Sequence, residues 1–325
     1  MKGSHRVIVE TKKVKYDFTV KRNITILTGD SGSGKTVLID MIREYRRYGS
    51  DSGVFLSCDC ECRTIDDENW MRQIEEISGS IIFIDEGNRF LPSKEFAELV
   101  LKSDNYFVLA VREKLPMLPY SVNEIYGFRR SGKFHEAKQT YNEIYHLYGE
   151  ISGQSEINPG AVITEDSNAG YEFFSKLSSQ KNIDCISAHG KSNVISILKN
   201  RKKKEDICLV IADGAAFGSE IRDVSEYLKT DEGVVLYAPE SFEWLLLSTN
   251  AIPNVNVSTI LERPEQYIES SEYASWERYF TALLINRTQA DPVWAYSKRK
   301  LPDAYYSPKI ISEVKKRMKL IVWEK

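Results

Sequence analysis

The sequence predicts an α/β protein of two consecutive units, each a mostly parallel sheet with helices on its faces. Three observations carry that class. Short apolar runs of four to six residues alternate with longer segments of helical spacing, as expected of parallel strands that need crossover helices. The rhythm stops once, at Gly149-Glu-Ile-Ser-Gly-Gln-Ser-Glu-Ile-Asn-Pro-Gly160, and then restarts. The chain has 325 residues, which is two domains at about 150 residues each.

Before the break, Val7 to Val9 and Val14-Lys-Tyr-Asp-Phe-Thr-Val20 place apolar side chains at every second position, which predicts a half-buried antiparallel pair. Strands of the parallel sheet are expected at 24–28, 54–57, 81–84 and 106–111, with helices at 35–48, 66–77 and 88–102. After the break, strands are expected at 161–164, 184–188, 207–212 and 233–237, separated by helices at 170–179, 193–199 and 220–228. From Pro239 the spacing of Trp, Tyr and Leu is mostly helical. The expected organisation is therefore a first domain at 1–150, a linker at 151–160, a second α/β domain at 161–240 and a helical extension at 241–325.

Composition excludes several classes. Hydrophobic residues make up 42%, with 18 Tyr and 13 Phe, so the chain can bury real cores and is not disordered. Lys+Arg 44 against Asp+Glu 47 leaves a net charge of −3, which rules out a generally basic nucleic-acid coat but not local patches. No apolar run approaches the ~18 residues of a membrane helix. The first residues are polar and charged, so no signal peptide and a cytoplasmic location are expected. Five cysteines argue against a disulfide framework. Cys58, Cys60 and Cys62 alternate, which suits either a soft-metal site or a strand end with three thiols on one face. The lack of a Cys/His pair nearby in sequence favours the strand end.

Gly29-Asp30-Ser31-Gly32-Ser33-Gly34-Lys35-Thr36 matches G-x-x-x-x-G-K-[ST], between an apolar strand and an apolar helix. Glycines let backbone N–H groups converge on a phosphate, and the positive end of the helix adds to the attraction. Lys35 is placed to reach the β/γ-phosphates, and the Thr36 hydroxyl to ligate Mg²⁺. Ser80-Ile-Ile-Phe-Ile-Asp85-Glu86 is an apolar strand ending in two acids: Asp85 for Mg²⁺, Glu86 as general base for the attacking water. Arg112, at the end of the next strand, is either a sensor of the γ-phosphate or an ion-pair partner of Glu113. Arg89, Arg129 and Arg130 are further cations for a phosphate. Together these segments resemble the Walker A and Walker B motifs of P-loop NTPases of the ATP-hydrolysing type. That resemblance implies ATP and Mg²⁺ as cofactors. No Asn-Lys-x-Asp guanine-reading motif occurs.

In the second unit, Glu165 and Asp166 end the first strand, Gly190 follows the second, and Asp213 ends the third. Acids ending neighbouring parallel strands are where metal sites tend to be built. The order resembles a Toprim domain, the metal-dependent fold of topoisomerases, primases and OLD-family nucleases, whose ATPase also precedes the Toprim domain. The resemblance implies Glu165 and Asp213 as metal ligands and DNA or RNA as a partner. The sequence departs from it at Ala215, where the family has the second acid of Asp-x-Asp; Asp166 or Glu220 are the nearby substitutes. Loss of one carboxylate weakens a two-metal site. The run Asn200-Arg-Lys-Lys-Lys-Glu offers phosphate contacts or a solvated helix end. The expected function is an ATPase coupled to a nucleic-acid-binding or -processing domain, in phage defence or mobile-element maintenance. The alternative is an ATP-dependent switch that recruits a protein partner or a second copy of itself. A small-molecule phosphotransferase is disfavoured by the early Asp-Glu pair.

Overall fold

The computed structural model describes residues 1–29, 32–66, 68–130, 140–153, 155–201 and 206–323. The chain divides into two compact units, Met1–Leu147 with Arg263–Ser275, and Tyr148–Glu262 with Trp276–Lys325. Both are α/β, with parallel strands in each sheet. No helix among the described residues is long and apolar enough to cross a membrane.

The first unit opens with β1 (His5–Glu10) and β2 (Val14–Val20), paired antiparallel with Val7 opposite Phe18. Their alternation buries Val7, Val9, Tyr16 and Phe18 on one side. Next come β3 (Ile24–Leu27), α1 (Lys35–Tyr48), β4 (Phe55–Ser57), β5 (Glu61–Thr64) and α2 (Trp70–Glu76). They are followed by β6 (Ser80–Ile84), α3 (Lys94–Val100), β7 (Tyr106–Ala110), β8 (Ile125–Arg130) and β9 (Thr140–His146). Among the described residues the strands form one sheet in the order β4-β1-β2-β9-β8-β3-β7-β6-β5. Strands β8, β3, β7, β6 and β5 run parallel, and β3, β6 and β7 are buried throughout.

The two edge strands, β4 and β5, are joined by Cys58, Asp59 and Cys60 alone. Nine flat strands would hold the edges about 38 Å apart at normal spacing. Three linking residues span at most ~15 Å from strand to strand, so the sheet curls until its edges meet. Inside the curl, Leu38, Ile39 and Ile42 of α1 share a core with Val7, Val9 and Phe18 on one side and Phe83 and Val108 on the other. The rings of Phe18 and Phe83 meet edge to face at 6.4 Å. On the outer face α2 and α3 cover β6 and β7, with Phe96 against Phe107 and Trp70 stacked on Phe90.

Two sequence expectations need correction here. Residues 54–57 do not join the parallel sheet: β4 pairs antiparallel with β1, and β5 takes the place beside β6. The reason is burial, since Phe55 and Ser57 are exposed, as an edge strand allows and a central parallel strand does not. Strands β8 and β9 were not anticipated; Arg and Gly interrupt the apolar alternation in Ile125-Tyr-Gly-Phe-Arg-Arg.

The second unit contains β10 (Ala161–Thr164), α4 (Ala169–Ser179), β11 (Asp184–Ser187), α5 (Val194–Lys199), β12 (Cys208–Ile211), α6 (Gly218–Leu228) and β13 (Val234–Tyr237). The strands are all parallel, in the order β11-β10-β12-β13. Then follow α7 (Phe242–Ser248), α8 (Ser258–Glu262), α9 (Trp276–Thr288) and α10 (Pro308–Arg317). Phe173, Phe174, Phe242 and Trp323 join these helices to the sheet in one aromatic cluster.

Candidate functional site

In the first unit, β3, β7 and β6 are adjacent and parallel, so the residues leaving them emerge at one carboxyl edge. Gly29 leaves β3, Arg112 leaves β7, and Asp85 and Glu86 leave β6. Two strand spacings, about 10 Å, separate β3 from β6. Ligands of open α/β sheets bind along such an edge.

Gly29, Gly32 and Gly34 all have positive φ, at 146°, 78° and 110°. Asp30 and Ser31, which belong to the expected phosphate loop, lie outside the described residues. Lys35 is 4% exposed, and its Nζ donates to Gly29 O at 2.5 Å and to Ser33 Oγ at 3.2 Å. The ammonium thus folds back over the loop that surrounds it. Thr36 is exposed in the first turn of α1. Tyr16, reaching from β2, donates its hydroxyl to Gly34 O at 2.8 Å and braces the loop from behind. A Cβ at Gly34 would lie 2.8 Å from that hydroxyl oxygen.

Asp85 Oδ1 accepts from Glu86 N at 2.8 Å, and Asn88 caps the turn through Asp85 O. Arg112 grips Glu86 with both arms: Nε donates to Oε2 at 2.9 Å and Nη2 to Oε1 at 2.7 Å. This bidentate pair crosses from β7 to β6 and ties the two sequence candidates together. Glu86, Asn88, Arg89 and Arg112 line an open cavity of about 580 Å³, within the size range of small-molecule pockets. Arg129 lies over the Tyr145 ring at 4.7 Å; the Arg130 side chain lies outside the described residues.

The second unit holds an acidic crevice. Strands β10 and β12 pair in register Thr164 to Ile211, so Glu165 and Asp213 leave the sheet side by side. Asp213 N donates to Glu165 Oε2 at 3.0 Å. Asp213 Oδ1 accepts from Phe242 N at 3.0 Å, at the start of α7. Glu243, one residue on, is 1% exposed; its Oε1 accepts from the Tyr296 hydroxyl at 2.8 Å. Glu243 Oε2 is buried with no hydrogen-bond partner among the described residues. Glu277, in the first turn of α9, accepts from Lys298 Nζ at 2.6 Å. Glu165, Asp166 and Asp213 line a small cavity of about 20 Å³, room for one water or ion.

The electrostatics agree with that crowding. Burial, followed by the charges of Glu277, Glu165 and Glu243, raises Asp213 well above the ordinary carboxylate range. Burial also pushes Glu165 up to about 7, against the opposing pull of the Asp213 N–H. Burial works to lower Lys298, but Glu277 and Glu243 outweigh it and hold the ammonium charged.

Sequence reasoning missed Glu243, Glu277 and Lys298. Glu243 lies in the first turn of α7, six residues beyond the end of β13, too far on for the strand-end logic to reach. Nothing local in the sequence marks Glu277 or Lys298. Ala215 is 3% exposed, and its N–H is bonded to Glu240 O at 3.0 Å. Of the two proposed substitutes, Asp166 lines the cavity, and Glu220 accepts from Ser219 Oγ at 3.2 Å. Lys202, Lys203 and Lys204 of the basic run lie outside the described residues, while Arg201 is turned inward to Asp206 O at 2.9 Å and Asp231 at 3.3 Å.

No family model matches the chain, and no curated protein matches it.

Proposed function

We propose that this protein binds and hydrolyses ATP with Mg²⁺ in its first unit, and that a Toprim-like second unit engages DNA or RNA as the coupled partner. The observation that carries the nucleotide reading is the shared carboxyl edge. The glycine loop with Lys35, the Asp85-Glu86 pair and Arg112 leave three adjacent parallel strands there. In this reading backbone N–H groups of Gly29–Thr36 and the Lys35 ammonium hold the phosphates. Thr36 and Asp85 would hold Mg²⁺, which when bound supplies charge neutralisation at the transferring phosphoryl group. Glu86 takes the proton of the attacking water. Because Arg112 occupies both Glu86 oxygens, its release or retention sets whether that base is available.

The acidic crevice suits one hard divalent ion. Glu165 and Asp213 would hold it, in the small cavity that they line with Asp166. When bound, the ion supplies Lewis-acid polarisation of a phosphoryl oxygen. Ala215 offers no anchor for a second ion. Weak cleavage, with nucleic-acid binding as the main activity, is the expected behaviour. The buried Ala215 favours a second reading, an ATP-dependent switch whose second unit recruits a protein.

The test is a nuclease assay with Mg²⁺ or Mn²⁺, with and without ATP, beside an ATPase assay of the same preparation. ATP turnover with weak or absent cleavage is expected. Robust Mg²⁺-dependent cleavage that vanishes in Glu165→Ala would overturn the weakened-site reading, and absence of ATP turnover would overturn the first.

A further inference from the structure

The curl of the first sheet builds another cluster, at the amino edge of the parallel strands and so on the opposite side from the glycine loop. Strand β1 begins at His5, β4 ends at Ser57 and β5 begins at Glu61. The β1–β4 register pairs Ile8 with Ser57, and its continuation carries His5 toward Cys60. His5 Nδ1 lies 2.8 Å from Asp59 Oδ1. Cys58 Sγ lies 3.5 Å from Cys60 Sγ, and neither cysteine is in a disulfide. One nitrogen of His5, one carboxylate oxygen of Asp59 and Cys60 Sγ all fall within 4.8 Å of one another. His5, Cys58 and Cys60 are half-buried and Asp59 is exposed, so the cluster is anchored on one side and open to an entering ion on the other.

We propose that Cys58, Cys60, His5 and Asp59 form a binding site for a soft divalent cation of the zinc class. Two sulfurs, one imidazole and one carboxylate make a four-donor set that suits a tetrahedral ion. Bonds of ~2.0–2.3 Å at tetrahedral angles put donors about 3.3–3.8 Å apart. The two sulfurs are already at 3.5 Å, and Cys58 Sγ lies 3.6 Å from Asp59 Oδ1; His5 and Asp59, at 2.8 Å, would turn apart to reach that spacing. Hard cations such as Mg²⁺ and Ca²⁺ prefer all-oxygen shells and are disfavoured by two thiolates. Binding releases the two thiol protons to solvent and forms two metal–sulfur bonds, with no change of oxidation state. Cys62 stays outside the set, buried in the core beneath α1. The site's role is structural: it ties the start of β1 to the three residues that join the sheet's two edges.

Cobalt(II) titration of the full-length protein, stripped of metal under reducing conditions, tests this directly. One equivalent should bind with a thiolate-to-cobalt charge-transfer band and the visible bands of tetrahedral cobalt, and Zn²⁺ should displace it. Cys58→Ser with Cys60→Ser should abolish the charge-transfer band. His5→Ala, which removes a half-buried ring and leaves both thiols, should weaken binding by about tenfold or more. Circular dichroism of each variant establishes that it is folded. A wild-type protein with no charge-transfer band, or a folded double-serine variant that binds cobalt as the wild type does, overturns the proposal.

Discussion

Lys35 is the single side chain on which most of the nucleotide reading turns. It is buried, and its Nζ donates to Gly29 O and Ser33 Oγ. A phosphate oxygen would add the attraction of opposite charges to such a hydrogen bond. Lys35→Ala should therefore lower ATP affinity by about tenfold to a hundredfold in calorimetry; unchanged affinity in a folded variant counts against the site. Glu86→Gln should keep ATP binding and slow turnover by ~10²-fold or more, the range for a removed general base. A parental rate would place the base elsewhere. In the second unit, Ala215→Asp restores the acid that the Toprim resemblance calls for, but at a position 3% exposed and closed over by Glu240. It should cost about 3 kcal/mol in urea denaturation, the order expected of an uncompensated buried charge, and add no cleavage. Glu165 and Asp213 were legible because strand ends announce themselves in sequence. Glu243 and Glu277 were not, since their place depends on where helices dock after the sheet is complete.

At the scale of the element, α1 was the most legible. Its bounds at Lys35–Tyr48 follow from a glycine that can start it and from an apolar face with four buried aliphatic residues, Leu38, Ile39, Met41 and Ile42. The buried strands β3, β6 and β7 were equally plain, as short apolar runs between helices. β4 and β5 were not, because two strands only three residues apart read as one, and only pairing partners distinguish an edge from a centre. The turn into α1 gives a test of local geometry. Gly34 has φ 110°, and a Cβ there would sit 2.8 Å from Tyr16 Oη. Gly34→Ala should lower stability by about 1–3 kcal/mol through backbone strain and weaken ATP binding with it. Tyr16→Phe removes the hydroxyl that the new methyl meets, so adding it to Gly34→Ala should recover part of the loss in a thermal melt. Simple additivity of the two changes would mean that the contact is not what resists the methyl group.

At the scale of the whole molecule, the first unit is completed by a distant stretch of chain, Arg263–Ser275. Asn23 Nδ2 donates to Ser270 O and Tyr273 O, both at 3.0 Å, and Gly3 N donates to Glu265 O at 2.7 Å. Ser270 Oγ donates in turn to Ser103 O at 3.1 Å. Asn23→Ala deletes both side-chain bonds and should speed chymotryptic cleavage after the exposed Tyr267 by about thirtyfold, since each lost bond is worth about 1 kcal/mol of local opening. An unchanged cleavage rate would mean that the other bonds hold the stretch by themselves.

That excursion also orders events during synthesis. Between Leu147 and Arg263 the ribosome must add Tyr148–Glu262, which takes roughly 6–25 s at usual elongation rates. Through that interval the nascent amino-terminal sheet carries Asn23 without its carbonyl partners, while all four strands of the second unit's sheet are made and can begin to pair. Trp276–Lys325, which belongs to the second unit, follows directly. The two units therefore reach completion close together, and not one after the other. A chain stopped anywhere before Arg263 leaves both of them unfinished, and would expose that fact to proteases through two cores at once.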